Sequence, residues 1–294
     1  MRFRGDADLV AELSALQARV PAVRQLAEGE DDVTVLAVNR DASTLDEVPE
    51  GTWMLAFGWY MHGWFRTHYD LPFHPSLRPL FLSFHVNRPA ALSAEAVDYL
   101  REHAPIGCRD WATVRRLQAL DVPAFFSGCL TTTVDLLFGP GPAPAPDAPV
   151  ALVEVQDGGE AELDPGERGV RLGHSNLEIR GASLAANLAR ALEQLDAYRN
   201  DYRRVVTSRL HCYLPARALG VDVGFRPHAE DDIRFDGLIG IDDASFAAMQ
   251  RGIRDKLGAA LDSILNGDDE DHVRAVWREA CAPDVETARA ALGA

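Results

Sequence analysis

Lysine is almost missing from this chain. Lys256 stands alone among 29 basic residues, against 45 acidic ones, and the formal net charge is −16. A phosphate backbone is bound by a basic face, so nucleic acid is excluded as the main partner. Any anion-binding site must be locally basic against this acidic background, which makes the positions of the arginines informative. There is no run of about eighteen apolar residues, so no transmembrane helix and no membrane insertion is expected. Met1-Arg2-Phe3-Arg4-Gly5-Asp6 lacks the apolar core of a secretory signal, and the expected location is the cytoplasm. Cysteine is sparse too: Cys108, Cys129, Cys212 and Cys281 form no CxxC and no paired ladder. A cytoplasmic chain keeps them reduced, and these spacings do not suit a zinc site. They read as small apolar fillers near strand ends. No carboxylate cluster suggests a metal, and no metal or cofactor is expected.

With 294 residues, 47% of them hydrophobic, the chain is long enough for two domains with proper cores. The clearest boundary is the run Gly139-Pro140-Gly141-Pro142-Ala143-Pro144-Ala145-Pro146-Asp147-Ala148-Pro149. Alternating proline cannot donate backbone hydrogen bonds and favours an extended spacer. The expected division is therefore a first domain over 1–138, a linker over 139–149, a second domain over 150–245 and a helical tail over 246–294.

The first domain reads as alternating helix and strand. A helix is expected from Asp6 to Glu28, followed by strands at Val33–Val38, Trp53–Phe57, Leu80–Phe84, Ile106–Cys108 and Ala124–Phe126, with a helix over Trp111–Leu120. Short apolar runs of this kind suit a parallel sheet covered on both faces. The second domain repeats the theme: strand Val150–Val155, amphipathic helix Ser183–Tyr202, strand Arg204–Thr207, helix Leu210–Leu219 stopped by Gly220, and strand Val221–Phe225. In the tail, Phe246, Met249, Ile253, Leu257, Leu261 and Ile264 make one helical stripe, and a last helix carries Val273, Val276 and Trp277. Those stripes exceed what the second domain can cover, so the tail should pack partly on the first. The economical fold class is α/β, with two Rossmann-like domains and a helical C-terminal tail.

Ligands of open parallel sheets bind at the carboxyl ends of the strands. The residues that follow the strands are therefore the candidates. Gly58-Trp59-Tyr60-Met61-His62-Gly63 follows the second strand of the first domain, His85 the third, and Arg109-Asp110 the fourth. Ser127-Gly128 and then Thr131-Thr132-Thr133 follow the fifth, and Thr207-Ser208-Arg209-Leu210-His211 follows a strand of the second domain. Thr207 or Ser208 is placed to cap the next helix, whose first N–H groups then offer an anion site. Arg209 adds a fork for phosphate or carboxylate, and His211 a proton donor or acceptor near neutrality. Each also has a plainer reading. Arg109 beside Asp110 suits a local ion pair, His62 and His85 suit hydrogen-bonded structural roles, and the threonines suit a helix cap.

The stretch Val205-Val206-Thr207-Ser208-Arg209-Leu210-His211-Cys212-Tyr213-Leu214-Pro215-Ala216-Arg217-Ala218-Leu219-Gly220-Val221-Asp222-Val223 resembles the late block of the polysaccharide pyruvyl transferase family. There a buried strand leads into an Arg-Leu-His motif and a helix ending in Gly. Arg234-Phe235-Asp236-Gly237-Leu238 resembles the block that follows it, and Ile106-Gly107-Cys108-Arg109-Asp110-Trp111-Ala112-Thr113 resembles the family's Gly-x-Arg-Asp block. The resemblance covers residues 50 to 245. It implies a glycosyltransferase-B-like arrangement, in which the two Rossmann-like domains face each other across a cleft. It also implies transfer of a pyruvyl group from phosphoenolpyruvate to a pair of hydroxyls on a sugar or glycan, as a ketal. On this reading Arg209, Arg109, Leu210, Ser208 and Thr131 bind substrate. His211 is the acid or a hydrogen-bond donor to the phosphate, and His62 or His85 faces the acceptor. All the histidines and arginines of that set should line one cavity.

The family's opening Asn-x-Gly-Asp loop is reduced here to Arg4-Gly5-Asp6, with too few residues before it for a full strand. Two alternatives stand beside pyruvyl transfer: a nucleotide-sugar glycosyltransferase, and a non-catalytic family member that binds a ligand. The sequence leaves homo-oligomerisation open.

Overall fold

The computed structural model describes residues 2–20, 32–38, 40–60, 71–88, 92–138, 144–156, 163–174 and 182–293. In chain order the strands are β1 (Arg2–Gly5), β2 (Asp32–Val35), β3 (Thr52–Tyr60), β4 (Leu77–Val86), β5 (Ile106–Cys108), β6 (Ala124–Phe126), β7 (Val150–Val153), β8 (Gly169–Leu172), β9 (Arg204–Thr207) and β10 (Val223–Phe225). The helices are α1 (Ala7–Arg19), α2 (Ala94–Glu102), α3 (Trp111–Gln118), α4 (Leu184–Asn200), α5 (Leu210–Ala218), α6 (Asp243–Leu265) and α7 (Glu270–Leu292). Two four-stranded parallel sheets result, in the orders β3-β4-β5-β6 and β10-β9-β7-β8, with β1 and β2 paired separately. The architecture is thus α/β with two parallel sheets, helices around them and a C-terminal helical pair.

The chain forms two compact units, and neither is contiguous. One joins Met1–Ala37 to Thr131–Glu230 and holds the β7–β10 sheet; the other joins Val38–Leu130 to Asp231–Ala294 and holds the β3–β6 sheet. These units cut the chain differently from boundaries at 138, 150 and 246. The reason lies in side chains that cross those boundaries. Arg19 of α1 pairs with Asp196 of α4, and Arg19 and Arg199 both lie over the ring of Phe138, at 5.5 and 5.6 Å. Part of the proline-rich run, 139–143, lies outside the described residues.

The tail joins the β3–β6 unit through its apolar stripes. Phe246, Ile253 and Ala260 on α6, and Val273, Trp277, Cys281, Val285 and Ala288 on α7, are buried at helical spacing. Most of them share one core with Phe81, Phe84, Leu100, Ile106 and Phe125. Trp277 is 2% exposed, and its Nε1 donates to Pro105 O at 3.2 Å. Burying an apolar side chain of this size stabilises by about 1.5–3 kcal/mol. The tail is therefore one wall of this unit's core.

Strand β4 is buried on both faces, as a parallel strand between helices should be. It also carries an irregularity. Ala56 pairs with Phe81 and Gly58 with Phe84, so two steps on β3 match three on β4. The extra residue falls at Ser83, buried and with φ +59°, a left-handed conformation unusual outside glycine. Its N–H donates to Ser127 Oγ at 3.0 Å, and its Oγ accepts from Leu130 N at 2.8 Å. A bulge switches the side-chain alternation downstream. Phe81 and Phe84, three apart, accordingly meet edge to face at 5.4 Å.

Two expectations need correction. The residues before Asp6 do form a short strand, β1, which pairs in parallel with β2. Helix α1 stops at Arg19, because Val20 is already extended at φ −63° and ψ 124°.

Candidate functional site

In the β3–β6 unit the residues that follow β4, β5 and β6 converge. His85 lies near the end of β4, and Arg109 N–H donates to Phe84 O at 2.9 Å, which locks the exit of β5 against it. Asp110 is the N-cap of α3. Its Oδ1 accepts from Thr113 N at 2.9 Å and from Thr113 Oγ1 at 2.8 Å. The other carboxylate oxygen takes His85 Nδ1 at 2.5 Å. One residue thus caps a helix and orients an imidazole, with both side chains wholly buried.

The electrostatics favour a neutral imidazole beside an ionised carboxylate. Burial pulls His85 below its ordinary value; Asp110 opposes this, and the cations of Arg109 and Arg234 reinforce it. Burial alone would raise Asp110, but the hydrogen bonds from His85 and Thr113 outweigh it and hold the carboxyl low. A neutral imidazole beside an ionised carboxylate keeps its proton on Nδ1. Its Nε2 is then a bare acceptor, buried and with no hydrogen-bond partner among the described residues.

Arg109 is 2% exposed, and among the described residues its Nε and Nη2 make no hydrogen bond. The local ion pair expected with its neighbour is present but loose, with Nε 3.9 Å from Asp110 Oδ2, beyond hydrogen-bond distance. A guanidinium stays charged in a protein, and buried N–H groups are nearly always satisfied, so these two edges are suited to a further anion besides Asp110. The segment after β10 adds Arg234, forked onto Asp232 at Nε with distances of 2.8 and 2.9 Å. That segment is pinned by Trp111 N–H on Asp236 O at 3.2 Å and by the Arg115–Asp236 ion pair. Gly237 fits there because a Cβ would lie 2.6 Å from Trp111 and 2.8 Å from Phe126, whose rings stack.

In the β7–β10 unit a second polar group gathers at the ends of β7, β8 and β9. Arg209 forms an ion pair with Glu154, through Nε and Nη2 on one carboxylate oxygen, while the other accepts from His174 N at 2.8 Å. Glu154 itself has φ +49°. Ser208 Oγ donates to Glu154 O at 2.6 Å, and Thr207 Oγ1 accepts from Arg209 N at 3.0 Å. Neither therefore caps α5: the N-cap position is Arg209, with no side-chain cap bond. His174 Nε2 meets the Tyr198 hydroxyl. Burial lowers His174, and Arg209 reinforces this against Glu154. Leu210 is buried, and His211 is exposed on the first turn of α5.

The structure thus brings His85 and Arg109 together in one unit, and Ser208, Arg209, Leu210 and His211 together in the other. Thr131 is the second residue of the 3-10 stretch Leu130–Leu137 and belongs to the unit of Arg209. His62 lies outside the described residues. Sequence reading missed Asp110 as the partner of His85, because it assigned that aspartate to its chain neighbour Arg109. It also missed Glu154 and His174, although an acid directly after a four-residue apolar strand was a signal for the former. Among the described residues no group of His, Cys, Asp and Glu could hold a metal ion, and no helix is long and apolar enough to cross a membrane. No protein-family model matches the chain, and no curated protein and no solved structure matches it significantly.

Proposed function

We propose that this chain is a transferase in which Arg109 holds an anionic donor and His85, oriented by Asp110, takes the proton of an attacking hydroxyl. The observation that carries the reading is the buried Arg109 guanidinium, two of whose N–H edges make no hydrogen bond among the described residues, beside an Asp–His pair whose Nε2 makes none either. Preorganised charge in a water-poor site is worth more than the same charge in water. The resemblance of residues 106–113 and 205–223 to the pyruvyl transferases supplies the reaction: phosphoenolpyruvate donates a pyruvyl ketal to two sugar hydroxyls. The same reading takes the two sheet units as Rossmann-like halves of a glycosyltransferase-B-like enzyme, with Arg209, Leu210, Ser208 and Thr131 on the donor.

The chemistry balances without a further reactant. A proton added to the methylene carbon leaves an oxocarbenium-like centre at the neighbouring carbon. The first sugar hydroxyl bonds to that carbon, and its proton passes to a base such as His85 Nε2. The second hydroxyl then bonds to the same carbon as the C–O bond to phosphate breaks, and its proton leaves with the phosphate. His211 is the acid of the first step. An imidazole held below its ordinary value stays in the base form at neutral pH, as the role of His85 requires.

Calorimetry with phosphoenolpyruvate, and phosphate release with a sugar carrying neighbouring free hydroxyls, test the reading. Arg109→Gln should weaken donor binding about 10- to 100-fold, the loss of a charge-assisted contact. His85→Gln should keep donor binding and lose about 10²–10⁴-fold in turnover. A parent protein that ignores phosphoenolpyruvate but binds UDP or GDP would move the chain to the nucleotide-sugar transferases. One that binds none of them would leave a non-catalytic ligand-binding protein.

A further inference from the structure

The single lysine does not take part in either polar cluster. Lys256 lies on α6 with its side chain 12% exposed, ion-paired with Asp284 of α7. Its Nζ is 3.4 Å from Gly252 O and 5.7 Å from the centre of the Phe125 ring. This pair lines a cavity of about 340 Å³ whose other walls include Leu82, Phe126, Met249 and Ile253. That volume falls in the range of small-molecule sites, which are mostly apolar with a few convergent polar groups. His85, Asp110 and Arg109 are not among its lining residues.

The charges select the ligand. An anion alone would draw Lys256 but leave the Asp284 carboxylate without its cation. A cation alone would take Asp284 and leave the more deeply buried ammonium unpaired, the costlier arrangement. A zwitterion placed between the two answers both. The residue type fits this reading. An arginine would close its planar fork on Asp284, whereas an ammonium has three rotatable donors and can keep one partner while turning to another. This matters in a chain that otherwise uses arginine for every cationic side chain.

We propose that this cavity binds an α-amino acid with an apolar side chain. Its carboxylate lies on Lys256, its ammonium on Asp284, and its side chain against Leu82, Phe126, Met249 and Ile253. The inference does not depend on the pyruvyl-transfer reading.

L-Leucine, isovalerate and isoamylamine share one side chain and differ only in which charges they carry. Calorimetry on the unmodified protein should give saturable leucine binding, at least about tenfold tighter than either single-charge analogue. Growth on ε-¹³C-lysine labels Lys256 alone and leaves its three donors intact. Leucine should shift that ε-methylene signal with the calorimetric midpoint. Lys256→Met, which keeps the apolar stem, should abolish the binding; if that variant fails to fold, the labelled signal of the parent still decides. An absent shift at millimolar leucine overturns the proposal. Isovalerate or isoamylamine binding as tightly as leucine also overturns it, since the cavity is then only an apolar pocket.

Discussion

Asp110→Asn changes one atom of the buried cluster and asks two questions at once. In the parent the carboxylate receives Thr113 N, Thr113 Oγ1 and His85 Nδ1, and it stands 3.9 Å from the Arg109 guanidinium. Asparagine keeps a carbonyl for the two Thr113 donors, so the cap of α3 survives. Its amide must then face His85, which forces the imidazole proton onto Nε2 and turns the bare acceptor into a donor. The anion beside Arg109 is lost as well. At an effective dielectric of about 20, that separation corresponds to roughly 4 kcal/mol of Coulomb attraction. Breaking a buried pair by removing one partner costs about 3–5 kcal/mol. For a unit of this size, that lowers the melting temperature by roughly 10 °C. Calorimetric melting gives the stability change, and long-range ¹⁵N–¹H spectra of the imidazole give the tautomer directly. The expected result is an Nδ1–H imidazole in the parent, an Nε2–H imidazole in the variant, and turnover reduced about 10²–10⁴-fold. A variant that melts with the parent and shows the same tautomer refutes the geometry of the pair. One that switches tautomer yet turns over normally refutes the role of His85 as base.

Acid should destabilise the protein earlier than its carboxylates alone would predict. Burial lowers His85, His103 and His174 from 6.5, His103 to about 4. Below about pH 6.5 the unfolded chain therefore binds protons that the folded chain refuses, and stability falls with pH across that window. Asp110 and Asp232, held below 3.8, extend the loss in the same direction at lower pH. Melting temperatures that are flat or rising from about pH 7 to about pH 5 would contradict the buried neutral imidazoles. Gly237→Ala should destabilise by about 1–3 kcal/mol, because its Cβ would press on Trp111 and Phe126 at a φ of +89°. Gly220→Ala, with a similar φ of +74° but nothing within 4 Å, should cost only about 1 kcal/mol. Equal shifts in urea midpoint for the two would show that the stacked rings yield to the methyl group.

Period and punctuation carried much of the fold in the sequence. The apolar triplets Ile106–Cys108 and Ala124–Phe126 and the run Arg204–Thr207 are strands with the expected ends, since each lies between helix signals that leave little room for error. The stripe of α6 was legible too, because a spacing of three to four repeats over six turns, except that Leu261 is exposed and Ala260 takes the buried position beside it. The positions of His85 at the end of β4 and of Arg109 directly after β5 followed from the strand assignments. Tertiary structure decided the rest. The bulge at Ser83 sets which residues of β4 share a face, and no local pattern announces an extra residue in an unbroken apolar run. Asp110 became the partner of His85 because β4 and β5 are neighbours across 25 residues of chain. Glu154 met Arg209 because β7 and β9 pair across 55. Such contacts depend on strand order, which loop lengths and helix packing choose collectively. The composition of the two compact units depends on the same thing: Arg19 finds Asp196, and Trp277 finds Pro105, only after the sheets exist. Local sequence determined the elements and the chemistry at their ends, and long-range packing determined which of those ends meet.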